Sequence, residues 1–400
     1  MQIKSFTLLL HKMISRKIHH ELINLANQYP VVSVIGPRQA GKTTLVRSAF
    51  PSTSYVNLEL PENRNLAAND PKAFFHRYTS PLIIDEIQRV PELLSYIQVI
   101  VDEHNSAGQF ILTGSDQLQL SEEITQSLAG RTAILKLLTF SISELLDAGI
   151  SHTRDEWIAK GFLPRIYDQK LEPFKAYGNY LETYVERDLR KQINIRNLAT
   201  FEAFLKLLAG RVGQVLNLQS LSNDLGVSSP TIQQWISILE ASFVVFRIYP
   251  YYKNFGKRII KSPKLYFTEV GLAVYLLGIQ NKEQVSRDPL LGGIFENLVV
   301  ADILKSRLNA GLPPNLYFFR DSNGNEVDLV IEENRSLTAV EIKSAMTYKE
   351  SFTRGIDYFQ KINLNNQIKK GVVIYAGGLE FESDSHIVRN FSNIEGLFYE

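Results

Sequence analysis

Gly36, Gly41, Lys42 and Thr43 fit the spacing G-x-x-x-x-G-K-S/T, in a loop between the apolar run VVSVI (Val31–Ile35) and a helical pattern. The spacing is one that phosphate chemistry requires. Glycines let backbone N–H groups curl around phosphate oxygens, and the start of the following helix adds the positive end of its dipole. Lys42 is then placed to reach the β- and γ-phosphates of a nucleotide, and the Thr43 hydroxyl to bind Mg²⁺. The expected ATP cradle is Gly36, Pro37, Arg38, Gln39, Ala40, Gly41, Lys42, Thr43 and Thr44. Such a loop needs an acid at the tip of another strand, and PLIIDEIQ supplies Asp85 for the Mg²⁺ shell. Beside it, Glu86 can orient or deprotonate the attacking water. FILTGS places Thr113 and Ser115 at the end of a further strand, where Ser115 either senses the γ-phosphate or caps a helix.

A second set of candidates lies toward the C-terminus. Glu296 falls in the amphipathic helical pattern GGIFENLVVADIL, Asp328 in NEVDLVIEE, and Glu341 with Lys343 in TAVEIKS. Alternation sets Glu341 and Lys343 on one face of their strand, and the turn-like ENRSL makes the last two segments a hairpin. Clustered carboxylates hold Mg²⁺, and a neighbouring lysine polarises water or stabilises a phosphorane. Packed this closely, at least one carboxylate is expected to titrate above the ordinary range. The order of helix acid, strand acid and acid-x-Lys resembles the PD-(D/E)xK restriction-endonuclease-like fold, with Val327 where Pro is usual.

A third candidate region is LNLQSLSNDLGVSSPTIQQWISILEAS, which reads as helix, turn and helix. Gly226 breaks the first helix, Ser228 or Ser229 caps the second, and Pro230 lies near its first position. Ile232, Trp235, Ile236 and Leu239 form a core stripe, leaving Thr231, Gln233, Gln234 and Ser237 to face outward, residue types able to bond base edges. Two strands follow as a wing would. Between Ala241 and Thr268 stand six basic residues (Arg247, Lys253, Lys257, Arg258, Lys261, Lys264) and no acidic one. That field suits DNA phosphates, with Gln233, Gln234, Lys253, Lys257, Arg258 and Lys261 as the expected contacts. A packing role for the same module is the alternative.

The elements that position these groups are legible in outline. The strand-like runs Val31–Ile35, Tyr55–Leu58, Leu82–Asp85, Phe110–Thr113 and Thr132–Leu138 alternate with helical patterns, the signature of a parallel sheet covered on both faces. The chain has 400 residues, 43 basic and 42 acidic, so a uniformly basic surface is excluded. Cysteine is absent, which excludes disulfides, thiolate metal sites and cysteine nucleophiles, and fits a cytoplasmic protein. The seven histidines are scattered, and there is no H-E-x-x-H or G-x-S-x-G motif. The apolar run Phe6–Leu10 is too short to span a bilayer, and residues 1–12 read as a dispensable extension ahead of a second Met at position 13.

GPRQAGKTTL, LIIDEIQ, FILTGS and SLAGRTAILKLLTFSISEL together resemble the prokaryotic AAA-type P-loop ATPases that carry a C-terminal domain of unknown function 4143. The resemblance covers nearly the whole chain from Met13. It implies a P-loop NTPase α/β fold: a parallel sheet with a helical lid, then a winged helix-turn-helix and a restriction-endonuclease-like α/β domain. The implied boundaries are 13–150, 151–200, 201–280 and 281–400. Arg131 in LAGR matches a recurrent arginine of the family, so it is either a source of transition-state charge, including from a neighbouring subunit of a homo-oligomer, or a structural ion pair. GFLPR (Gly161–Arg165) and YVERDLR (Tyr184–Arg190) resemble lid signatures, with Glu186, Arg187 and Asp188 as possible ties to the core. YFTEVGL carries Glu269 where the family has Asp. The expected activity is ATP hydrolysis with Mg²⁺, coupled to DNA and a nuclease-like domain. The alternative is a regulatory ATP-binding protein whose C-terminal domain only scaffolds a protein partner.

Overall fold

The computed structural model describes residues 13–104, 106–115, 127–186, 198–251, 262–321, 323–362 and 367–398. Its first layer is a five-stranded sheet: β1 (Val31–Ile35), β2 (Ser54–Asn57), β3 (Leu82–Asp85), β4 (Phe110–Gly114) and β5 (Thr132–Lys136). The spatial order is β2-β3-β4-β1-β5, and every pairing is parallel. β1, β3 and β4 are buried along their whole length, because helices cover both faces. The chain is thus an α/β protein on a parallel sheet. The C-terminal ends of β1, β3 and β4 lie side by side, so the loops leaving these three strands share one edge. Helix α1 (His19–Ala26) leads into β1, and α2 (Lys42–Ala49) comes after it.

The helix pair forms where its local signals put it. Helix Leu218–Leu225 ends on Gly226, whose φ of 65° suits glycine, and Ser228 caps helix Ser229–Ala241 by accepting the Thr231 N–H. Ile232, Trp235, Ile236 and Leu239 are buried, and Trp235 packs edge-on against Phe201 at 5.4 Å. β6 (Val245–Pro250) and β7 (Lys264–Phe267) then pair antiparallel.

β6 does not stop at that hairpin. It also pairs in parallel with β8 (Leu316–Arg320), Tyr249 against Tyr317 and Pro250 against Phe318. Through β8 it joins β9 (Glu326–Glu333), β10 (Ser336–Lys343), β11 (Gln367–Ile368), β12 (Gly371–Tyr375), β13 (Phe381–Glu382) and β14 (His386–Asn390) in one nine-stranded mixed sheet. Strand pairing therefore crosses the boundary expected near residue 280.

Helix Leu291–Asn309 departs from the amphipathic pattern expected of it. Its residues are buried without a break from Asn297 to Lys305, because β5, the segment after it and helices Arg154–Lys160 and Val270–Leu276 pack on the face that would otherwise meet water. No helix of the described residues is long and apolar enough to cross a membrane.

Candidate functional site

The phosphate-type loop joins β1 to α2. A Cβ on Gly36 would come within 2.0 Å of the Leu137 carbonyl oxygen, so no side chain fits there. Gly41 caps α2 at φ +90°, a conformation glycine adopts without strain. The buried Lys42 ammonium donates to the carbonyls of Gly36 and Pro37, both at 2.8 Å. Burial lowers its pKa to about 8, while the carboxylates of Glu86 and Asp85 pull it upward.

Asp85, at the tip of β3, is buried and accepts from three hydroxyls: Thr43 at 3.0 Å, Tyr55 at 2.8 Å, and Thr113. The Thr43 and Asp85 oxygens form a hard donor set of the kind Mg²⁺ takes. Glu86 comes next with φ 61°, a strained setting for a residue with a side chain. Its Oε2 accepts from Gln88 Nε2 and, at 3.3 Å, from Ser115 Oγ. Lys42, Thr43, Asp85, Glu86 and Ser115 therefore stand at one sheet edge.

Arg16, just ahead of α1, ties this edge together. Its guanidinium donates to Ala40 O at 2.7 Å, Leu138 O at 2.8 Å and Glu144 Oε1 at 2.9 Å, and lies over the Phe140 ring at 5.0 Å. Beside it lies a pocket of about 260 Å³ between Met13–His19 and the start of α2, walled by Phe140 and Pro164.

Arg131 stands elsewhere, and a role on this chain's own phosphates is corrected by its position. Its carbonyl accepts the Val31 N–H at the N-terminal end of β1, so the length of the strand, about 13 Å, separates it from the loop. Its guanidinium makes a two-pronged bond to Asp102 at 2.6 and 2.8 Å. Arg187 and Asp188 lie outside the described residues, as does the side chain of Glu186.

Buried polar bonds carry this edge into the C-terminal layer. Asp302 accepts the Ile142 N–H at 2.8 Å, and Lys305 donates to Phe140 O at 3.0 Å. Glu269 is buried and accepts from Phe162 N and the Tyr177 hydroxyl, each at 2.9 Å, anchoring the GFLPR segment. The Asp302 carboxyl is pushed up to about 6, chiefly by loss of hydration, with the Ile142 N–H pulling it down. A raised carboxyl pKa favours the folded chain below the unfolded value near 4, and that contribution is lost as pH rises through 6. The stability of Asp302→Asn relative to wild type is therefore expected to increase by roughly 2–3 kcal/mol between pH 4 and pH 8. Melting midpoints at five pH values check this, and a pH-independent difference contradicts it.

The C-terminal carboxylates form one electrostatic cluster held by two lysines. Lys343 reaches Glu341 at 2.5 Å and Asp328 at 3.4 Å, and Asp328 also accepts the Ile342 N–H at 2.8 Å. Glu296 lies one step further on. It accepts from Tyr266 at 2.6 Å and Lys264 at 3.0 Å, and Lys264 also meets Glu326 at 2.7 Å. The carboxyls of Glu296 and Glu341 are each pushed up to about 7, first by burial and then by the Asp328 charge. Among the described residues no three acidic, histidine or cysteine side chains are arranged to hold a metal ion. Lys343 stands with Asp328 and Glu341 as its spacing implied, and Lys264, which the expected set did not include, lies against Glu296 and Glu326.

The basic stretch also differs from its expected form. Arg247 pairs with Glu240, and Lys264 is buried in the cluster, so two of the six charges are internal. Lys253, Lys257, Arg258 and Lys261 lie outside the described residues, while Gln233 and Gln234 are exposed on their helix. Sequence reasoning missed the parts that Arg16, Tyr55, Lys264 and Tyr266 play. Lys264 and Tyr266 carried one usable signal, a charge and a hydroxyl two apart in an otherwise apolar strand.

Residues 28–146 match the family described as AAA domain, 151–283 a domain of unknown function (DUF8612), and 291–394 a domain of unknown function (DUF4143). Over 365 residues the chain is 31% identical to the uncharacterized protein Rv2008c of Mycobacterium tuberculosis, covering 90% of this chain and 79% of the relative. An uncharacterized protein of Haemophilus influenzae is 23% identical over 334 residues, 73% of this chain and 79% of that one. Among solved structures, the Walker-type ATPase PABY2304 of Pyrococcus abyssi aligns with 65% of this chain and 94% of its own, at 14% identity and a TM-score of 0.44.

Proposed function

This chain belongs to the family that joins an AAA domain to a C-terminal domain of unknown function (DUF4143), and from that premise we propose that it is an ATP-hydrolysing switch coupled to a DNA-facing helix pair. The observation that carries the reading is the convergence of Lys42, Thr43, Asp85 and Glu86 at one sheet edge. In this reading Lys42 leaves its two carbonyl partners for the β- and γ-phosphates, and the pocket beside Arg16 receives the nucleoside. Mg²⁺ held by Thr43 and Asp85 would neutralise phosphate charge. Glu86, oriented by Gln88 and Ser115, takes a proton from the attacking water. Movement of residues 140–142 reaches the C-terminal layer through Lys305 and Asp302, on the same helix that carries Glu296.

A second reading is favoured for the C-terminal domain alone. Lys264 and Lys343 already stand against its carboxylates as counter-charges, which suits a nuclease-derived scaffold for a protein partner better than a cutting site. Intact DNA and RNA after incubation with Mg²⁺ or Mn²⁺ during ATP turnover support it; Glu341-dependent cleavage rejects it.

ATP turnover with and without duplex DNA tests the coupling. Stimulation by DNA, or DNA affinity that differs between ADP and a slowly hydrolysed ATP analogue, supports the switch. Replacing Lys257, Arg258 and Lys261 together with Gln is expected to weaken binding to all duplexes alike and to lower the log–log salt slope by about 0.9 per lost phosphate contact. An unchanged slope moves the DNA surface elsewhere.

A further inference from the structure

We infer that a cleft between the five-stranded sheet, helix Ser229–Ala241 and the C-terminal layer is a second small-molecule site, one that takes an amphipathic anion with an apolar or aromatic body and one acidic group. The cleft has a volume of about 480 Å³ and shares no lining residue with the pocket beside the phosphate-type loop. That volume falls within the range of drug-sized ligands. Its walls are apolar, with Leu138, Phe246, Ile248, Leu304 and Leu316 among them.

The polar groups in it are few and unbalanced. Glu240 and Arg247 pair with each other, and Arg247 Nε is buried without an acceptor. Lys136 also lines the cleft and has no acidic partner among the described residues. One positive charge is thus left over in a largely apolar cleft. Lys136 is half-buried, so it gives up part of its hydration without a counter-charge, and an anionic occupant would supply one. Loss of hydration lowers the Lys136 pKa, as a missing counter-ion would.

The cleft also touches the loop indirectly. Lys136 and Leu138 line it from β5 and its extension, while Leu137 O sits against Gly36 and Leu138 O accepts from Arg16. An occupant would press on the strand that backs the phosphate-type loop.

The test uses two fluorescent probes of the same shape on the full chain, 8-anilinonaphthalene-1-sulfonate and its neutral counterpart N-phenyl-1-naphthylamine. Lys136→Met keeps the length and removes the charge; Ser237→Trp, at an exposed position on the rim, narrows the mouth. One saturable sulfonate site is expected, weakened about tenfold by Lys136→Met, with the neutral probe changed less than about twofold. Ser237→Trp should weaken both probes. Circular dichroism melts that match wild type show that both variants fold, since neither removes a buried pair. Sulfonate affinity unchanged in both variants overturns the site, and equal weakening of the two probes by Lys136→Met overturns the anion preference.

Discussion

Lys42→Ala is expected to bring ATP turnover to background, and Glu86→Gln to slow it by roughly 10²–10⁴-fold while nucleotide affinity stays within a few-fold. The two outcomes differ because the side chains do different work. Lys42 is buried at the mouth of the loop, its ammonium against two carbonyls that cannot compensate a lost phosphate contact. Removing it takes away a charge-assisted bond to the nucleotide in ground and transition states alike. Glu86 makes no bond to the loop carbonyls and is held by Gln88 and Ser115, so its amide analogue keeps the shape and loses only the base. Phosphate release and binding of a fluorescent ATP analogue separate the effects. Wild-type turnover by Glu86→Gln would transfer the base to another residue, and tight binding by Lys42→Ala would remove the lysine from the phosphate site.

The second large effect is on stability. Lys264→Met is expected to cost about 3–5 kcal/mol at pH 8, the usual result of stripping one partner from a buried ion pair. Lys264 is almost wholly enclosed between Glu296 and Glu326. Without it, Glu296 keeps only the Tyr266 hydroxyl, beside the Asp328 charge. The Glu296 carboxyl, already pushed up to about 7, would rise further, so protonation relieves the variant at low pH. Stability from a raised carboxyl is present below the unfolded value near 4.5 and lost as pH passes the folded value. The defect should accordingly shrink toward pH 5, and Glu296→Gln added to Lys264→Met should recover part of it at pH 8. Melting midpoints of the four proteins at pH 5 and pH 8 form the cycle; a pH-independent loss without rescue would show that packing, not charge, sets the cost.

How far the site could be read from the chain depends on the range of the interactions. The phosphate-type loop is local: strand, glycines, lysine and helix occupy one stretch from Val31 to Ala49, and each signal acts on its neighbours. The helix pair is local too, with Gly226 and Ser228 acting within a turn. The carboxylate cluster was legible as a set of types and an order. Its counter-charges were not, because Lys264 reaches Glu296 across 32 positions, and the charge and hydroxyl two apart in the strand KLYF name no partner. All four of its residues are buried, so a period of two had nothing to distinguish. Counting basic residues between Ala241 and Thr268 likewise measured charge without direction. Arg131 shows the opposite case: the run beginning at Thr132 already sets it at the N-terminal end of its strand, away from the loop that follows β1, and the family motif alone points it at the phosphates.

The pairing of β6 with β8 has a consequence for how such proteins can be cut and recombined. Separating the chain near residue 280 would strip Tyr249 and Pro250 from Tyr317 and Phe318, leaving two raw strand edges where there is now a continuous sheet. Bare edges seek strands from other molecules, so each half made alone should aggregate rather than behave as a module. A transplant that respects this seam has to begin before Val245 and run to the last strand of the sheet, keeping β6 and β8 together.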